Sequence, residues 1–585
     1  MKTNLFVTAA ISALSVTTPI CLQTHDLPAQ RRQTASPQGV MKNENSSGVQ
    51  EAWVRRVAYF QDLSDEATDM VVDQTGAVYV TGIVTDSKKD YNYGTAKYDH
   101  NGNLVWGPVV ENGYQAFNDE AAAIALDAAH VYVTGKMTGS NGDYNYGTIK
   151  YNRSSGSKVW SRQENGDAAN PDEAVAIAVD AQSNVYVAGN SFRESADWSY
   201  KLIKYDRDGN LQWAALADAN ESNAHPDKIV AMAVGATGNV FVTGIGYNDD
   251  VALDDYMTIK YDGSNGRVIW KKFYHGEAED QPVALALNGL GQVYVTGRSK
   301  NSFGDWDYVT IKYDAANGAA LKTVRHNAGE NDVPKALAVD KLGNVFVTGG
   351  SQHSINSYDY LTIKYNANLD TTWTRRYNDS RSNDYDLAND LTLDLEGNVY
   401  LTGLSYHSQT GYDCATVKYN SEGVENWVIR YEGPGDDIPN AIAIDKEGEV
   451  YVTGYSEKAL GADKDYLTIK YAQASPNRVE QSESEPADKY SLAPNYPNPF
   501  NPATKIVFAL PQADDVKLSI YSATGQLVRT LVDSKMNAGR HEISWNGQDQ
   551  FGQVVANGVY WYQLIVTGTN GKATFRETKS MTLLK

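Results

Sequence analysis

The stretch DYLTIKY occupies residues 359–365 and occurs again, unchanged, at residues 465–471. Related segments occur eight times, as YGTAKY (93–98), YGTIKY (146–151), YKLIKY (200–205), YMTIKY (256–261), YVTIKY (308–313), YLTIKY (360–365), CATVKY (414–419) and YLTIKY (466–471). A VYVTG-like segment precedes each one, ending at Gly82, Gly135, Gly189, Gly244, Gly297, Gly349, Gly403 and Gly454. These glycines are 51 to 55 residues apart. So constant a period predicts stacked copies of one supersecondary unit.

Each repeat contains four short segments with alternating side-chain character, which we call strands A to D. In the third repeat they are AVAIAVD (174–180), NVYVAG (184–189), YKLIKY (200–205) and NLQWAA (210–215). Short glycine turns such as DKLGN and DRDGN connect A to B and C to D. The four strands therefore form an antiparallel meander, and such meanders repeated radially are β-propeller blades.

The number of strands predicts how the ring closes. Tryptophan marks strand D at Trp106, Trp160, Trp213, Trp270, Trp373 and Trp427, with a degenerate copy around Leu321. No strand D follows Tyr471, but one precedes the first strand A, in EAWVRRV around Trp53. We therefore predict an all-β, eight-bladed propeller over residues 51–471, with the N-terminal strand completing the last blade. Seven blades are the alternative if one unit fails to insert.

A lysine recurs in strand C of all eight repeats, from Lys97 to Lys470. Strand A ends in aspartate in six repeats, at Asp73, Asp127, Asp180, Asp340, Asp394 and Asp445. We expect a structural Lys–Asp pair, or a lysine that snorkels between blades.

The combination of VYVTG, D-x-D-Y-x-T-I-K-Y and a strand-D tryptophan resembles the SBBP repeats of secreted bacterial β-propellers. The resemblance covers residues 51–471 and implies the fold, but it implies little about the ligand.

The rest of the chain suggests export. Residues 1–21 combine one lysine with an apolar run and predict a signal peptide, with a membrane anchor or, through Cys21, a lipoprotein as alternatives. Residues 22–50 and 472–490 are expected to be a disordered leader and a linker. No other segment is long and apolar enough for a transmembrane span, so none is expected in the mature chain.

The only other cysteine, Cys414, is expected to be a packed thiol, so no intrachain disulfide is predicted. The net charge of −21 disfavours nucleic acid and anionic membranes as partners.

Residues 491–585 form a second predicted domain, a small β-sandwich. Its motifs are N-Y-P-N-P-F-N-P (495–502), I-Y-x-x-x-G-Q (520–526), G-x-x-x-x-x-W-x-G-x-D (539–549), G-V-Y (558–560) and the terminal Lys585. They resemble the type A sorting domain of the type IX secretion system, which is immunoglobulin-like. The resemblance implies the type IX translocon and sorting machinery as partners and a secreted or outer-membrane surface location. An adhesive flagellar-hook-cap-like module is the alternative.

Long, varied B–C and D–A loops are expected on one face of the propeller and are the predicted binding region. They carry the aromatic candidates Trp198, Trp306, Tyr358, Tyr406 and Tyr412 beside Asp, Asn and Ser. Flat rings with nearby carboxylates and amides suit a carbohydrate or a peptide. The alternative is that each ring packs beneath its own loop.

A second candidate set is an aspartate that begins the innermost strand of every repeat, near the predicted channel mouth. Its members are Asp65, Asp119, Asp172, Asp227, Asp280, Asp332, Asp386 and Asp437. A ring of carboxylates could hold a cation such as calcium, whereas an aspartate at such a site more commonly caps a turn through backbone amides.

Enzymatic functions find less support in the sequence. Quinoprotein dehydrogenases share eight blades, but this chain has no Cys-Cys pair and no C-x-x-C-H, and sialidase-like turns lack an identifiable arginine cluster. No H-E-x-x-H or G-x-S-x-G motif occurs. We therefore expect an exported binding module for carbohydrate or protein, with a polysaccharide lyase or glycosidase, a quinoprotein-like dehydrogenase and a structural scaffold as alternatives.

Overall fold

The structure is a computed structural model that describes residues 49–584, except 60–62, 114–117, 141, 167–170, 194–197, 218–226, 355–356, 380–384, 474–488, 497, 499, 501–503, 551–552 and 569–572. The predicted signal peptide and most of the predicted leader and linker lie outside these residues, whereas Val49 and Gln50, the last two residues of the predicted leader, begin the first strand. The chain divides into two compact units, Met1–Gln473 and Ala474–Lys585. Within the described residues, no helix has the length and apolar character needed to cross a membrane.

The first unit is an eight-bladed β-propeller, as the repeats predicted. In the order A to D, blade 1 consists of β2 (Glu66–Val72), β3 (Val78–Thr85), β4 (Tyr91–Tyr98) and β5 (Leu104–Glu111), and blade 2 of β6 (Glu120–Leu126), β7 (His130–Thr138), β8 (Tyr144–Asn152) and β9 (Lys158–Glu164). Blade 3 consists of β10 (Asp172–Val179), β11 (Val185–Phe192), β12 (Trp198–Tyr205) and β13 (Leu211–Ala217), and blade 4 of β14 (Lys228–Val234), β15 (Val240–Asn248), β16 (Leu253–Tyr261) and β17 (Val268–Tyr274). Blade 5 consists of β18 (Asp280–Leu287), β19 (Gln292–Lys300), β20 (Trp306–Asp314) and β21 (Ala320–His326). Blade 6 consists of β22 (Asp332–Val339), β23 (Val345–Ser354), β24 (Ser357–Tyr365) and β25 (Thr371–Tyr377). Blade 7 consists of β26 (Asp386–Leu393), β27 (Val399–His407), β28 (Gly411–Tyr419) and β29 (Glu425–Tyr431).

The eighth blade closes the ring with a strand from the N-terminus. It contains β30 (Asp437–Ile444), β31 (Val450–Glu457) and β32 (Lys464–Gln473), and its fourth strand is β1 (Val49–Val57). β1 pairs antiparallel with β32, from Val49 opposite Gln473 to Val57 opposite Tyr466. The N-terminal strand therefore serves as strand D of blade 8, which confirms the predicted closure.

The glycine of VYVTG is required by a bulge in strand A. In every blade the A–B register shifts just after the residue that faces this glycine, for example between Pro282 and Ala284 opposite Gly297. A β-carbon added at any of the eight glycines would lie only 2.0–2.2 Å from a carbonyl oxygen of strand A. The glycine thus recurs in every repeat because the backbone of strand B comes so close to the backbone of strand A that no side chain fits between them.

The recurring lysine of strand C links each blade to the next. Its ammonium group donates a hydrogen bond of 2.7–3.2 Å to an oxygen atom of the next blade. In seven blades the acceptor is a backbone carbonyl, that of Arg153, Arg207, Gly263, Ala315, Ala367, Ser421 or His100. In blade 7 it is the side-chain oxygen Oε1 of Gln473. The ammonium group also lies 4.8–5.8 Å from the ring centroid of the strand-B tyrosine or phenylalanine of its own blade. These contacts take the place of the predicted Lys–Asp pair, while the aspartates accept hydrogen bonds from turn amides, as Asp180 does from Gln182 and Asn184.

The tryptophan of strand D reaches the same acceptor as the lysine. Its indole N–H donates to that oxygen at 3.0–3.2 Å in all seven blades that have the tryptophan. Blade 8 has no C–D turn, because its strand D is β1. The side-chain oxygen of Gln473 there replaces the missing carbonyl for both Lys418 and Trp427.

Blade 5 differs at this interface. Its strand D includes Leu321, around which the degenerate copy was predicted, and Lys322 pairs with Lys312 at the position where other blades have tryptophan. In the next blade Leu369 has φ 57° where the other C–D turns have a glycine. Leu369 is buried with Tyr294 and Tyr365 and fills the space that tryptophan occupies elsewhere.

The second unit is an immunoglobulin-like sandwich, as predicted. One sheet contains β33 (Ser491–Leu492), β34 (Thr504–Leu510) and β37 (Gly539–Trp545), and the other contains β36 (Leu527–Met536), β35 (Asp514–Ser522), β38 (Gly558–Thr567) and β39 (Ala573–Leu583). Trp545 lies in the core between Phe500 and Tyr560. Phe500 of the N-Y-P-N-P-F segment exchanges backbone hydrogen bonds with Thr582 and Leu584. Phe500 and Trp545, which belong to two of the motifs of this domain, therefore serve its packing.

Candidate ligand-binding face

The five predicted aromatic residues lie at the ends of strands B or C in blades 3, 5, 6 and 7, and they do not form a single site. Trp198, Trp306, Tyr358 and Tyr412 occupy the same position near the start of strand C, two residues before the buried first residue of the Y-x-T-x-K-Y segment. Tyr91 and Tyr144 occupy it in blades 1 and 2. Tyr406 faces Tyr412 across the B–C hairpin of blade 7. All five predicted aromatics are half-buried.

Basic side chains cover three of the strand-C aromatics. Lys136 lies 5.1 Å from the ring centroid of Tyr144, and Lys228 lies 4.8 Å from that of Trp198. Trp306 is flanked by the guanidinium group of Arg298 at 4.4 Å and the ammonium group of Lys300 at 4.9 Å. These contacts favour packing beneath a charged side chain at Trp198 and Trp306.

Blades 6 and 7 instead bring four tyrosines together. The ring centroids of Tyr358 and Tyr385 are 5.1 Å apart, those of Tyr385 and Tyr412 are 6.2 Å apart, and those of Tyr406 and Tyr412 are 5.3 Å apart. We call Tyr358, Tyr385, Tyr406 and Tyr412 the tyrosine cluster. It is continuous across a blade boundary and remains half-buried rather than enclosed.

Tyr385 was not among the predicted site residues, although its loop was. It lies just before strand A of blade 7 and forms an isolated bridge with Tyr358, while its carbonyl accepts a hydrogen bond of 3.1 Å from the Tyr406 amide. A D–A crossover therefore meets a B–C hairpin. Tyr385 reaches Tyr358 through a backbone contact between two neighbouring blades. A local sequence pattern carries no signal for such a contact.

Polar groups surround the tyrosine cluster. The Tyr358 hydroxyl donates to Gln352 Oε1 at 3.3 Å, and Asn331 donates to the same oxygen at 2.9 Å. The Tyr412 amide donates to Asp436 Oδ1 at 3.0 Å. Aromatic faces beside amide and carboxylate groups can stack on a ring and hydrogen-bond its hydroxyls.

The eight predicted channel-mouth aspartates are buried, with exposed fractions of 0–2%. Their carboxylates accept hydrogen bonds from amides of the preceding D–A crossover, at Tyr59, Gly113, Gly166, Gly276, Ala328, Asp379 and Gly433. Asp227 accepts from Tyr247 of strand B at 3.0 Å. This arrangement corresponds to the turn-capping alternative, because each carboxylate holds a crossover against the innermost strand.

Burial raises the pKa of several of these carboxyl groups. The pKa of Asp65, Asp280, Asp332 and Asp386 rises to about 6, and that of Asp437 to about 7. For Asp73 and Asp127, burial is outweighed by hydrogen bonds, including those from Thr75 and Tyr132, which lower the pKa to about 2. The two sets of aspartates therefore give stability opposite dependences on pH.

The melting temperature of the full-length protein is expected to fall as the pH rises from 5 to 8. A carboxyl group with a raised pKa binds more protons in the folded than in the unfolded chain, so the free energy of unfolding decreases as the pH rises from about 4 to about 7. Stability should also decrease as the pH falls from about 4 toward 2, because Asp73 and Asp127 must then be protonated.

Differential scanning calorimetry between pH 2 and 8 measures both slopes. Asp437→Asn, which removes one titrating group, should make the slope between pH 5 and 8 shallower. A melting temperature that rises from pH 5 to 8 in the wild-type protein would contradict the assignment.

Comparisons with known proteins are consistent with the two units. The model for the FlgD Ig-like domain matches residues 500–572, and that for the SBBP beta-propeller repeat matches residues 426–457. Regulatory protein FlaEY of Caulobacter vibrioides is 27% identical over 204 residues, covering 31% of this chain and 20% of that protein. The chain thus matches about a fifth of the length of that curated relative.

Two solved structures resemble this chain at low sequence identity. Quinohemoprotein alcohol dehydrogenase from Comamonas testosteroni is 11% identical, with a TM-score of 0.45 over 76% of this chain and 80% of that one. PorZ, described as a surface component of the type-IX secretion system of Porphyromonas gingivalis, is 14% identical, with a TM-score of 0.38 over 87% of this chain and 64% of that one. The two family models thus show an SBBP beta-propeller repeat at residues 426–457 and an FlgD Ig-like domain at residues 500–572 of this chain.

Proposed function

We propose that the tyrosine cluster binds a carbohydrate and that the propeller is a non-catalytic binding module. The observation that carries this proposal is a continuous run of four half-buried rings, supplied by three different connections of blades 6 and 7. Rings that meet at interplanar angles of 52–81° present both faces and edges, so they offer a contoured surface for a sugar.

The location supports binding rather than packing alone. Tyr358, Tyr385 and Tyr412 come from loops or strand ends on the long-loop face, whereas the rigid blades hold their backbones through inter-strand hydrogen bonds. A preorganised aromatic surface loses little conformational entropy when a ligand binds. Gln352 and Asp436 lie close enough to supply polar contacts to ligand hydroxyls.

Tyr412→Ala should weaken glycan binding by roughly tenfold or more, which corresponds to about 1.4 kcal/mol. The substitution removes a ring that contacts both Tyr385 and Tyr406, so a ligand stacked on the cluster loses its central support. A glycan array with the full-length protein identifies the sugar, and isothermal titration calorimetry then measures the affinity of wild type and variant.

Tyr91→Ala is the matched control. Tyr91 occupies the same strand position in blade 1 and is 37% exposed, but it lies outside the tyrosine cluster. Its loss should leave glycan affinity unchanged. The carbohydrate proposal would be overturned if no glycan on the array bound, if only a protein ligand bound, or if Tyr91→Ala and Tyr412→Ala lost equal affinity. The proposal that the module is non-catalytic would be overturned by turnover of a bound glycan.

We also infer that the propeller is cargo for export to the cell surface or beyond. The apolar N-terminal segment at residues 1–21 and the sorting-domain motifs at residues 495–502 and 539–549 support this route. Deleting residues 491–585 in a bacterium with a type IX secretion system should leave the propeller in the periplasm. Undiminished surface display after that deletion would exclude the C-terminal domain as the sorting signal.

A further inference from the structure

Strand C of blades 4 to 8 carries a second set of buried aspartates. They are Asp255, Asp307, Asp359, Asp413 and Asp465, with exposed fractions of at most 6%. Each follows the residue at the strand-C aromatic position directly. The carboxyl group of Asp255 lies close to that of Asp280, the strand-A aspartate of blade 5, at the boundary of blades 4 and 5.

An arginine of strand D neutralises this aspartate in blades 5 to 8. The N–O distance is 2.8 Å between Arg325 and Asp307, and the other pairs are Arg376 with Asp359 at 3.3 Å, Arg430 with Asp413 at 3.4 Å and Arg56 with Asp465 at 3.7 Å. Blade 4 breaks this pattern, because Phe273 takes the position of Arg325, as their strand-C partners Met257 and Val309 show.

A histidine takes the place of the arginine at Asp255. His275 Nδ1 lies 3.0 Å from Asp255 Oδ1, and one potential ligand atom from each of Asp255, His275 and Asp280 lies within 4.8 Å of the other two. The three residues come from strand C of blade 4, the following crossover and strand A of blade 5. Two carboxylates and one imidazole therefore meet at the boundary of blades 4 and 5.

The carboxylates are oriented for a further ligand. Asp255 and Asp280 have exposed fractions of 0%. Asn248 Nδ2 donates to Asp255 Oδ2 at 2.6 Å, and the Gly276 amide donates to Asp280 Oδ2 at 2.5 Å. Asp280 Oδ1 is buried, and the hydroxyl of Ser299, which faces Asp280 across the A–B pair, is the side-chain donor to this carboxylate. The His275 side chain is 33% exposed and leaves a route from solvent.

We propose that Asp255, His275 and Asp280 bind a divalent transition-metal ion of the Zn²⁺ class. One imidazole nitrogen and two carboxylate oxygens match the ligands that Zn²⁺ accepts, and three protein ligands leave a position for water. Ca²⁺ prefers an all-oxygen shell, so the imidazole disfavours it. The ion neutralises the two carboxylates and ties strand C of blade 4 and the following crossover to strand A of blade 5.

The test uses full-length protein treated with EDTA, desalted and exposed to ZnCl₂ or to CaCl₂. We expect one zinc per chain by inductively coupled plasma mass spectrometry, a higher melting temperature with zinc, and no equivalent uptake of calcium. Isothermal titration calorimetry with ZnCl₂ gives the affinity. Because His275 is partly exposed, His275→Asn should keep the fold and lower zinc affinity at least tenfold.

His353→Asn is the matched control. His353 Nδ1 also lies near a strand-C aspartate, 3.3 Å from Asp359 Oδ1, but Arg376 already contacts that carboxylate. This variant should bind zinc as the wild type does. The proposal would be overturned if the wild-type protein took up no zinc, if His275→Asn bound zinc as tightly as the wild type, or if calcium bound as tightly as zinc. If His275→Asn unfolds without metal, Asn248→Ala should instead weaken zinc binding by disorienting Asp255.

Discussion

Gly297→Ala is expected to destabilise the propeller by about 4 kcal/mol or more, a loss at the extreme of single substitutions. A β-carbon at this position would lie 2.2 Å from the carbonyl oxygen of Gln281 and 2.5 Å from Pro282 Cα. Both atoms belong to the backbone of the bulged strand A, so no rotamer change can relieve the contact. The blade must shift its A–B register or separate the two strands.

The midpoint of urea unfolding, followed by tryptophan fluorescence of the full-length protein, measures this loss. Gly289→Ala is the control within the same blade, because a β-carbon there would have no atom within 4 Å. We expect that control to change stability by less than about 1 kcal/mol. If the two variants lost equal stability, the glycine would be needed for a reason other than the approach to strand A.

Lys322→Trp and Leu369→Gly should each destabilise the protein, whereas the double substitution should recover most of the loss. Leu369 fills the space beside Tyr294 and Tyr365, so a tryptophan at 322 overpacks that interface by about 1–3 kcal/mol. Leu369→Gly alone removes a buried side chain at a cost of roughly 2–5 kcal/mol, partly offset because glycine accepts the positive φ. Together the two changes recreate the tryptophan–glycine contact of blades such as 4 and 5, where a β-carbon on Gly318 would lie 2.7 Å from the Trp270 ring.

A double-mutant cycle measures the coupling between the two positions. We expect a coupling energy of at least about 2 kcal/mol in the stabilising direction. The ion pair between Lys322 and Asp370 is too exposed to contribute much, so its loss should not obscure the result. Additive single effects would show that Leu369 does not occupy the space of the missing tryptophan.

The repeats were sufficient to predict the propeller. Eight copies of the strand-C segment and eight VYVTG-like segments specify eight blades, and the strand D around Trp53 specifies how the ring closes. These features are local: alternation within a strand and a glycine turn between strands are determined by residues close in sequence. The same holds for the immunoglobulin-like domain, whose core tryptophan Trp545 lies within one of its motifs.

The contacts between blades required the tertiary structure. The lysine of strand C recurs visibly, but its acceptor is a carbonyl more than 50 residues away in the next blade, as with Lys150 and Arg207. An aspartate was the expected partner because charge alone is visible in sequence. The use of Gln473 as a substitute acceptor follows only from the absence of a C–D turn in the blade that β1 completes.

Candidate sites were predictable as a region and not as sets of residues. The sequence by itself indicated that aromatic residues lie around the B–C connections and that aspartates lie at the start of strand A. The structure places the five predicted aromatics in the ends of the strands and not in the loops. The tertiary structure decided that Tyr358, Tyr385 and Tyr412 form one cluster while Arg298 and Lys300 cover Trp306, and that His275 meets Asp255 and Asp280. The physical reason is that strand register and turns are encoded locally, whereas a side chain acquires its neighbours from adjacent blades only when the ring closes.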